Sequence, residues 1–144
     1  MNANDAALTG LVTAQAGSSV QDVAPNAPGN PTFNLIIEGV AGSAIGNSGA
    51  PYDLRISALD LTAGGLASAI IPPPPPFAAF NADSGWALCG AGPNYQFTAT
   101  MNITIPSPVP GGPLAGHVLQ FVVSLVTVNA QIVSIIRSEP FVLV

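Results

Sequence analysis

The residues able to make and break bonds are few. The chain holds one histidine, His117, and one cysteine, Cys89. A hydrolytic triad needs a nucleophile, a base and a group that orients the base. His117 follows Gly116 at the start of an apolar stretch, away from any nucleophile motif. It reads as a polar residue at a strand end. Cys89 has no second cysteine to bond within the chain, and reads as a small buried hydrophobe. Pairing with a cysteine of another subunit is its other reading. One His and one Cys do not fill a tetrahedral metal shell. The stretch "NADSG" at 81–85 resembles the first half of a calcium loop, with Asn81 and Asp83 at alternate positions. The sixth-position glycine and the distant bidentate glutamate are missing, so a polar turn is expected. Glu38, Asp53, Asp60 and Asp83 are available for a carboxylate pair of the kind that cleaves glycosides. Nothing in their spacing suggests one. The glycines sit in turns, without the lysine and helix that complete a phosphate cradle. The expectation is a protein that is not an enzyme and holds no cofactor or metal.

Two groups of residues suit binding instead. Tyr52, Trp86 and Tyr95, with Phe77 or Phe80, are placed to form an aromatic platform on which a sugar ring stacks. Thr98, Thr100, Asn102 and Thr104 alternate along one segment and would form a flat polar ladder on one face of a strand. Such a ladder serves as solvated surface, subunit interface or ligand face. "NIT" at 102–104 also fits the short glycosylation acceptor pattern.

Composition narrows the partners. Charged residues make up 6% of the chain, against about 25% in an ordinary soluble domain. There is no lysine, and the basic residues are Arg55 and Arg137, for a net charge of -5. Nucleic-acid binding needs clustered Lys and Arg to displace counterions, so it is excluded. An anionic membrane surface is excluded on the same ground. No Asp, Glu, Lys or Arg occurs between Asp83 and Arg137. A free monomer normally keeps charge on its surface. Either the exterior is polar but uncharged, or much of it is covered in an assembly.

The elements that must position these residues read mostly as strands. Residues 1–32 are expected to be an N-terminal arm and linker. "ALTGLVTAQAG" there suits a short helix or a strand, and "APNAPGNP" suits an extended connection. Residues 33–144 are expected to be a single domain. "FNLIIEGVAG" reads as a strand ended by Gly39 and Gly42, and "GNSGAP" as a turn. "YDLRISALDL" alternates, with Tyr52, Leu54, Ile56 and Ala58 on one face and Asp53, Arg55 and Ser57 on the other. Pro72 to Pro76 lack amide donors and fix φ, which predicts a stiff polyproline II loop. "YQFTATMNITIP" alternates most cleanly: Phe97, Ala99, Met101, Ile103 and Ile105 point one way and the Thr/Asn ladder the other.

Within the closing segment, His117 to Val144, the stretch from His117 to Ile136 is long enough for a membrane helix. Polar residues interrupt it every few positions, and Val and Ile dominate it, which favours strands. Two antiparallel strands over 117–128 and 131–144 are expected, joined at "VNAQ" and kinked at Pro140. No membrane span is expected. The start of the chain has no basic region followed by an apolar run, so it does not read as a signal peptide.

The predicted fold is all-β: an antiparallel β-sandwich, immunoglobulin-like or jelly-roll, with an extended N-terminal arm. The paired cysteines around a tryptophan that mark true immunoglobulin domains are absent. The expected function is a structural subunit that assembles with itself as a filament, surface appendage, coat or virion component. Its localisation would be extracellular surface, appendage or virion. The arm, through Leu8, Leu11, Val12, Val20 and Val23, would add a strand to a neighbour's sheet edge. The alternative is a carbohydrate- or ligand-binding module that uses the loop aromatics, with a glycan as partner.

Overall fold

The computed structural model describes residues 4–26, 30–47, 52–71, 78–82, 87–88, 94–105, 114–127 and 132–144. Two antiparallel sheets pack against each other, as the alternating segments predict. The first has the order β1 (Ala6–Gln15), β2 (Thr32–Ala41), β6 (Tyr95–Thr104), β5 (Ala87–Leu88). The second has the order β4 (Ala78–Ala82), β3 (Tyr52–Asp60), β7 (Val118–Thr127), β8 (Ile132–Arg137), with β9 (Phe141–Val142) also on β7.

The two-residue period decides what each strand buries. On β3, Tyr52, Leu54, Ile56 and Ala58 are in the core, while Asp53, Arg55 and Ser57 lie on the other face. On β6, Phe97, Ala99 and Ile103 point inward, with Met101 packed against the core and Ile105 buried just beyond. Phe33 from the first sheet meets Phe121 and Phe141 from the second, with ring centroids 6.2 and 5.7 Å away; Phe121 and Phe141 stack at 5.3 Å. This aromatic cluster joins the two layers.

The closing segment is a pair of limbs, as read. β7 pairs with β8 from Val122 to Val126 and with β9 at Val118 and Leu119. The kink falls at Ser138–Pro140, between β8 and β9. Ser138 keeps the ladder whole across it. Its N–H donates to the Phe121 carbonyl, and its hydroxyl accepts the Phe121 N–H, both at 3.0 Å. No helix among the described residues is long and apolar enough to cross a membrane.

Three expectations need correction. A detached arm is not what Ala6–Gln15 forms. That segment is β1, paired along its length with β2 of the same chain, and Leu8 and Leu11 enter the shared core. Its apolar residues find a partner at home because β2 offers an edge on that side. Gly39 does not end its strand, and β2 runs on to Ala41. The glycine is there because the Phe97 ring lies across it, where any Cβ would collide. The first two residues of "GNSGAP", Gly46 and Asn47, are the end of a five-residue helix, α1 (Ser43–Asn47), and residues 48–51 lie outside the described residues. The proline run and the "VNAQ" turn also fall outside them.

Candidate functional site

β6 is the element that carries the polar ladder. Gln96, Thr98, Thr100, Asn102 and Thr104 are all exposed on the outer face of the first sheet. Thr98 stands across from Glu38, Thr100 from Ile36, Asn102 from Asn34 and Thr104 from Thr32 on β2. The face is therefore neutral except for Glu38.

The main chain of β6 alternates too. The Ile105 N–H donates to the Pro31 carbonyl at 2.7 Å, one step beyond the Thr104–Thr32 pair. In an antiparallel ladder, alternate residues bond to the same neighbour. Residues 97, 99, 101 and 103 therefore bond to β2, and Thr98, Thr100, Asn102 and Thr104 turn their N–H and C=O groups to the opposite edge. β5 meets that edge only at Gln96 and Tyr95. Among the described residues, no strand pairs with the edge from Thr98 to Thr104.

The other edge of this sheet is occupied. The Leu8 N–H donates to the Ser134 hydroxyl of β8 at 3.0 Å, and the Asp22 N–H donates to the Thr13 carbonyl at 2.8 Å. β1 carries a register shift between Leu8 and Gly10, next to the residue that bonds to β8. Among the described residues, the first sheet thus has its β1 edge covered and its β6 edge unpaired from Thr98 to Thr104.

A second cluster lies at the end of β3. Asp60 is buried, and its Oδ2 accepts from Nδ1 of His117 at 2.6 Å. Its Oδ1 accepts from the Ala63 and Thr62 N–H groups at 2.9 and 3.0 Å. The Ala63 amide, then His117, hold the carboxyl below the usual range, and together they outweigh its burial. An ionised carboxylate at 2.6 Å requires a proton on Nδ1 of the imidazole. Gly64 and Gly65 take positive φ, 74° and 132°, which only glycine adopts readily, and so close the turn around the carboxylate. The Val118 N–H donates to the Thr62 hydroxyl at 2.8 Å and ties the turn to β7. Both carboxylate oxygens of Asp60 are engaged, by the turn and by His117, so the pair acts as a clasp between the end of β3 and the start of β7. The sequence offered His117 but not its partner: Asp60 is 57 positions away, and the nearest local cue is an Asp placed before "LTAGG".

The aromatic platform does not assemble from its three members. Tyr52 is buried and stacked on Phe97, with centroids 4.9 Å apart, and burial raises its pKa. It is a core residue, a correction that follows from its place at the inward phase of β3. Tyr95 lies over Gly46 of α1, and its hydroxyl contacts Asn47 Oδ1 at 3.3 Å. Trp86, Phe77, Asp83 and Cys89 lie outside the described residues, and with them most of "NADSG"; the side chain of Phe80 does too. Of the arm residues, Leu8 and Leu11 are in the core, Val12 is half-buried on the outer face, and Val20 and Val23 are exposed. Among the described residues, no group of three or more His, Cys, Asp or Glu is placed to hold a metal.

No family model matches the chain, and no curated protein matches it. Among solved structures it is similar to a β-glucuronidase from Bifidobacterium dentium, solved in complex with coumarin-3-O-glucuronide. The identity is 14% and the TM-score 0.44, over 97% of this chain and 18% of that one. The chain thus spans less than a fifth of that protein, and a likeness at this level carries no argument about activity or ligand.

Proposed function

We propose that this chain is a non-enzymatic β-sandwich subunit that assembles with copies of itself through the uncharged outer surface of its first sheet. One observation carries the reading: β6 presents four exposed, neutral residues, Thr98, Thr100, Asn102 and Thr104, along a strand whose edge no other described strand pairs from Thr98 to Thr104. An open edge is a hydrogen-bonding template for another chain. Natural monomers blunt such edges with lysine, proline or a bulge, and none occurs between Thr98 and Thr104. Exposed Val133 and Ile135 on β8 give the second sheet an apolar outer strip, a further surface on which an appendage, coat or virion component would grow. An extracellular or virion setting belongs to the same proposal.

Light scattering after size exclusion, with negative-stain electron microscopy, tests it. A species larger than the 14.4 kDa monomer is expected. A monomer at every concentration overturns the reading. Glycan screening on that monomer would then test the carbohydrate-binding alternative, which has lost Tyr52 to the core.

A further inference from the structure

We infer that the end of the sandwich where β9 docks is built to loosen in acid: uncharging Asp22 and Asp60 frees the two turns that brace it, while the rest of the two sheets stays closed. This is independent of the self-assembly proposed above.

One row of hydrogen bonds crosses that end, from the first sheet to the second. The Asp22 N–H donates to the Thr13 carbonyl of β1 at 2.8 Å, and the Thr13 hydroxyl donates to the Asp22 carbonyl at 2.9 Å. One residue on, the Val23 carbonyl accepts the Val142 N–H of β9 at 2.8 Å. Val142 pairs with Val118 of β7. The Val118 carbonyl accepts the Leu61 N–H at 2.8 Å, and the Val118 N–H donates to the Thr62 hydroxyl at 2.8 Å, in the turn that follows β3.

A carboxylate braces each end of this row. Asp22 closes its own turn: Oδ1 accepts the Ala24 N–H and Oδ2 accepts from the Gln15 side-chain amide, both at 2.9 Å. Asp60 holds residues 62 and 63 in the same way and reaches His117 besides. Hydrogen bonds to an ionised acceptor are stronger than those to a neutral one. Both carboxyls lie below their ordinary value, Asp22 through the Ala24 amide and then Gln15, Asp60 through the Ala63 amide and then His117. The bracing is therefore complete above the ordinary carboxylate range and is lost as pH falls through the folded values. Phe141 and Leu143 are buried and seat β9 in the core. Acid leaves those anchors in place and lowers the cost of opening around them.

The effect is local because the titrating groups are. Asp60 is the one buried carboxylate among the described residues. His117 faces it from the start of β7. β1, β9 and residues 61–67 carry no Asp, Glu, Lys, Arg or His, and neither do residues 27–29 and 106–113. Glu139, exposed on the link between β8 and β9, and Arg137, exposed across from Val122, are the other described charges of this half. Asp53 and Arg55 lie toward the far end of β3, and Glu38 toward the far end of β2, where the Asp5 carbonyl accepts the Gly42 N–H.

Hydrogen exchange of the full chain, read by mass spectrometry and corrected for intrinsic rates, tests this at about pH 6.5 and about pH 2.5, on either side of the carboxylate range. Amides in residues 18–26, 61–66 and 140–144 are expected to lose about tenfold or more of their protection in acid, a factor of ten for each unit by which a carboxyl is held low. Amides in residues 33–40 and 97–103 are expected to keep theirs. Equal loss throughout, or no loss at the β9 end, overturns the inference. Asp22→Asn combined with Asp60→Asn keeps an oxygen for each turn without the charge. That variant is expected to show the loosened end already at about pH 6.5, with little further change in acid. If it keeps the wild-type response, or if Glu139→Gln abolishes that response, the titration lies elsewhere and the inference falls. The wild-type comparison decides the matter if the double variant does not fold.

Discussion

Asn26 and Asp60 show what single polar residues contribute inside an uncharged sandwich. Asn26 is fully buried, and its amide closes on the main chain of Val144: Nδ2 donates to the carbonyl at 2.7 Å, and Oδ1 accepts the N–H at 3.0 Å. The side chain thus imitates a strand partner for the last residue. Asn26→Ala would remove both of these bonds, each worth about 0.5–1.5 kcal/mol, and a loss of about 1–3 kcal/mol is expected in urea unfolding. For Asp60 the sign follows from the lowered carboxyl. A group whose pKa falls on folding stabilises fully above the ordinary carboxylate range, and the contribution is lost as pH falls through the folded value. Stability should therefore decline in acid, and Asp60→Asn should flatten that decline in denaturation midpoints measured across pH. The flattening is partial, because Asp22 is also held low, by the Ala24 amide and then the Gln15 side chain.

Among the elements, the junction of β8 and β9 depends most on one side chain. Proline at 140 and the break before β9 would leave the Phe121 N–H without an acceptor, and the Ser138 hydroxyl supplies it. Ser138→Ala removes that acceptor from a buried donor, and should cost about 1–3 kcal/mol in chemical unfolding. Ser138→Thr keeps the hydroxyl and should recover part of the loss. The strands themselves were legible wherever one face is buried and the other wet. β3 and β6 were read with their correct inward residues, because a sandwich strand alternates with period two. α1 and the continuation of β2 past Gly39 were not legible. A five-residue helix is too short to show a period, and the reason for Gly39 is a ring on a neighbouring strand.

At the scale of the molecule, the two sheets meet on one side, where β1 lies against β8, and among the described residues no strand pairs with β6 from Thr98 to Thr104 on the other. A contact made of main-chain hydrogen bonds and neutral side chains is not screened by salt. The mass of the assembled species should therefore be unchanged when ionic strength is raised from about 0.05 to 0.5 M, where an ion-paired interface would weaken. Sedimentation velocity at the two salt concentrations checks this, and dissociation in high salt would place the interface on charged residues instead.

The sequence by itself determined the all-β class, the inward and outward phases of the main strands, the two-limbed closing segment and the neutrality of the Thr/Asn ladder. These follow from local alternation and composition, which are carried by neighbouring residues along the chain. Only the tertiary structure decided that residues 6–15 belong to their own sheet, that Tyr52 is a core residue, and that Asp60 holds His117. Each of these depends on which strand lies beside which. That choice is made by matching buried faces and edges across distances along the chain that no local pattern records.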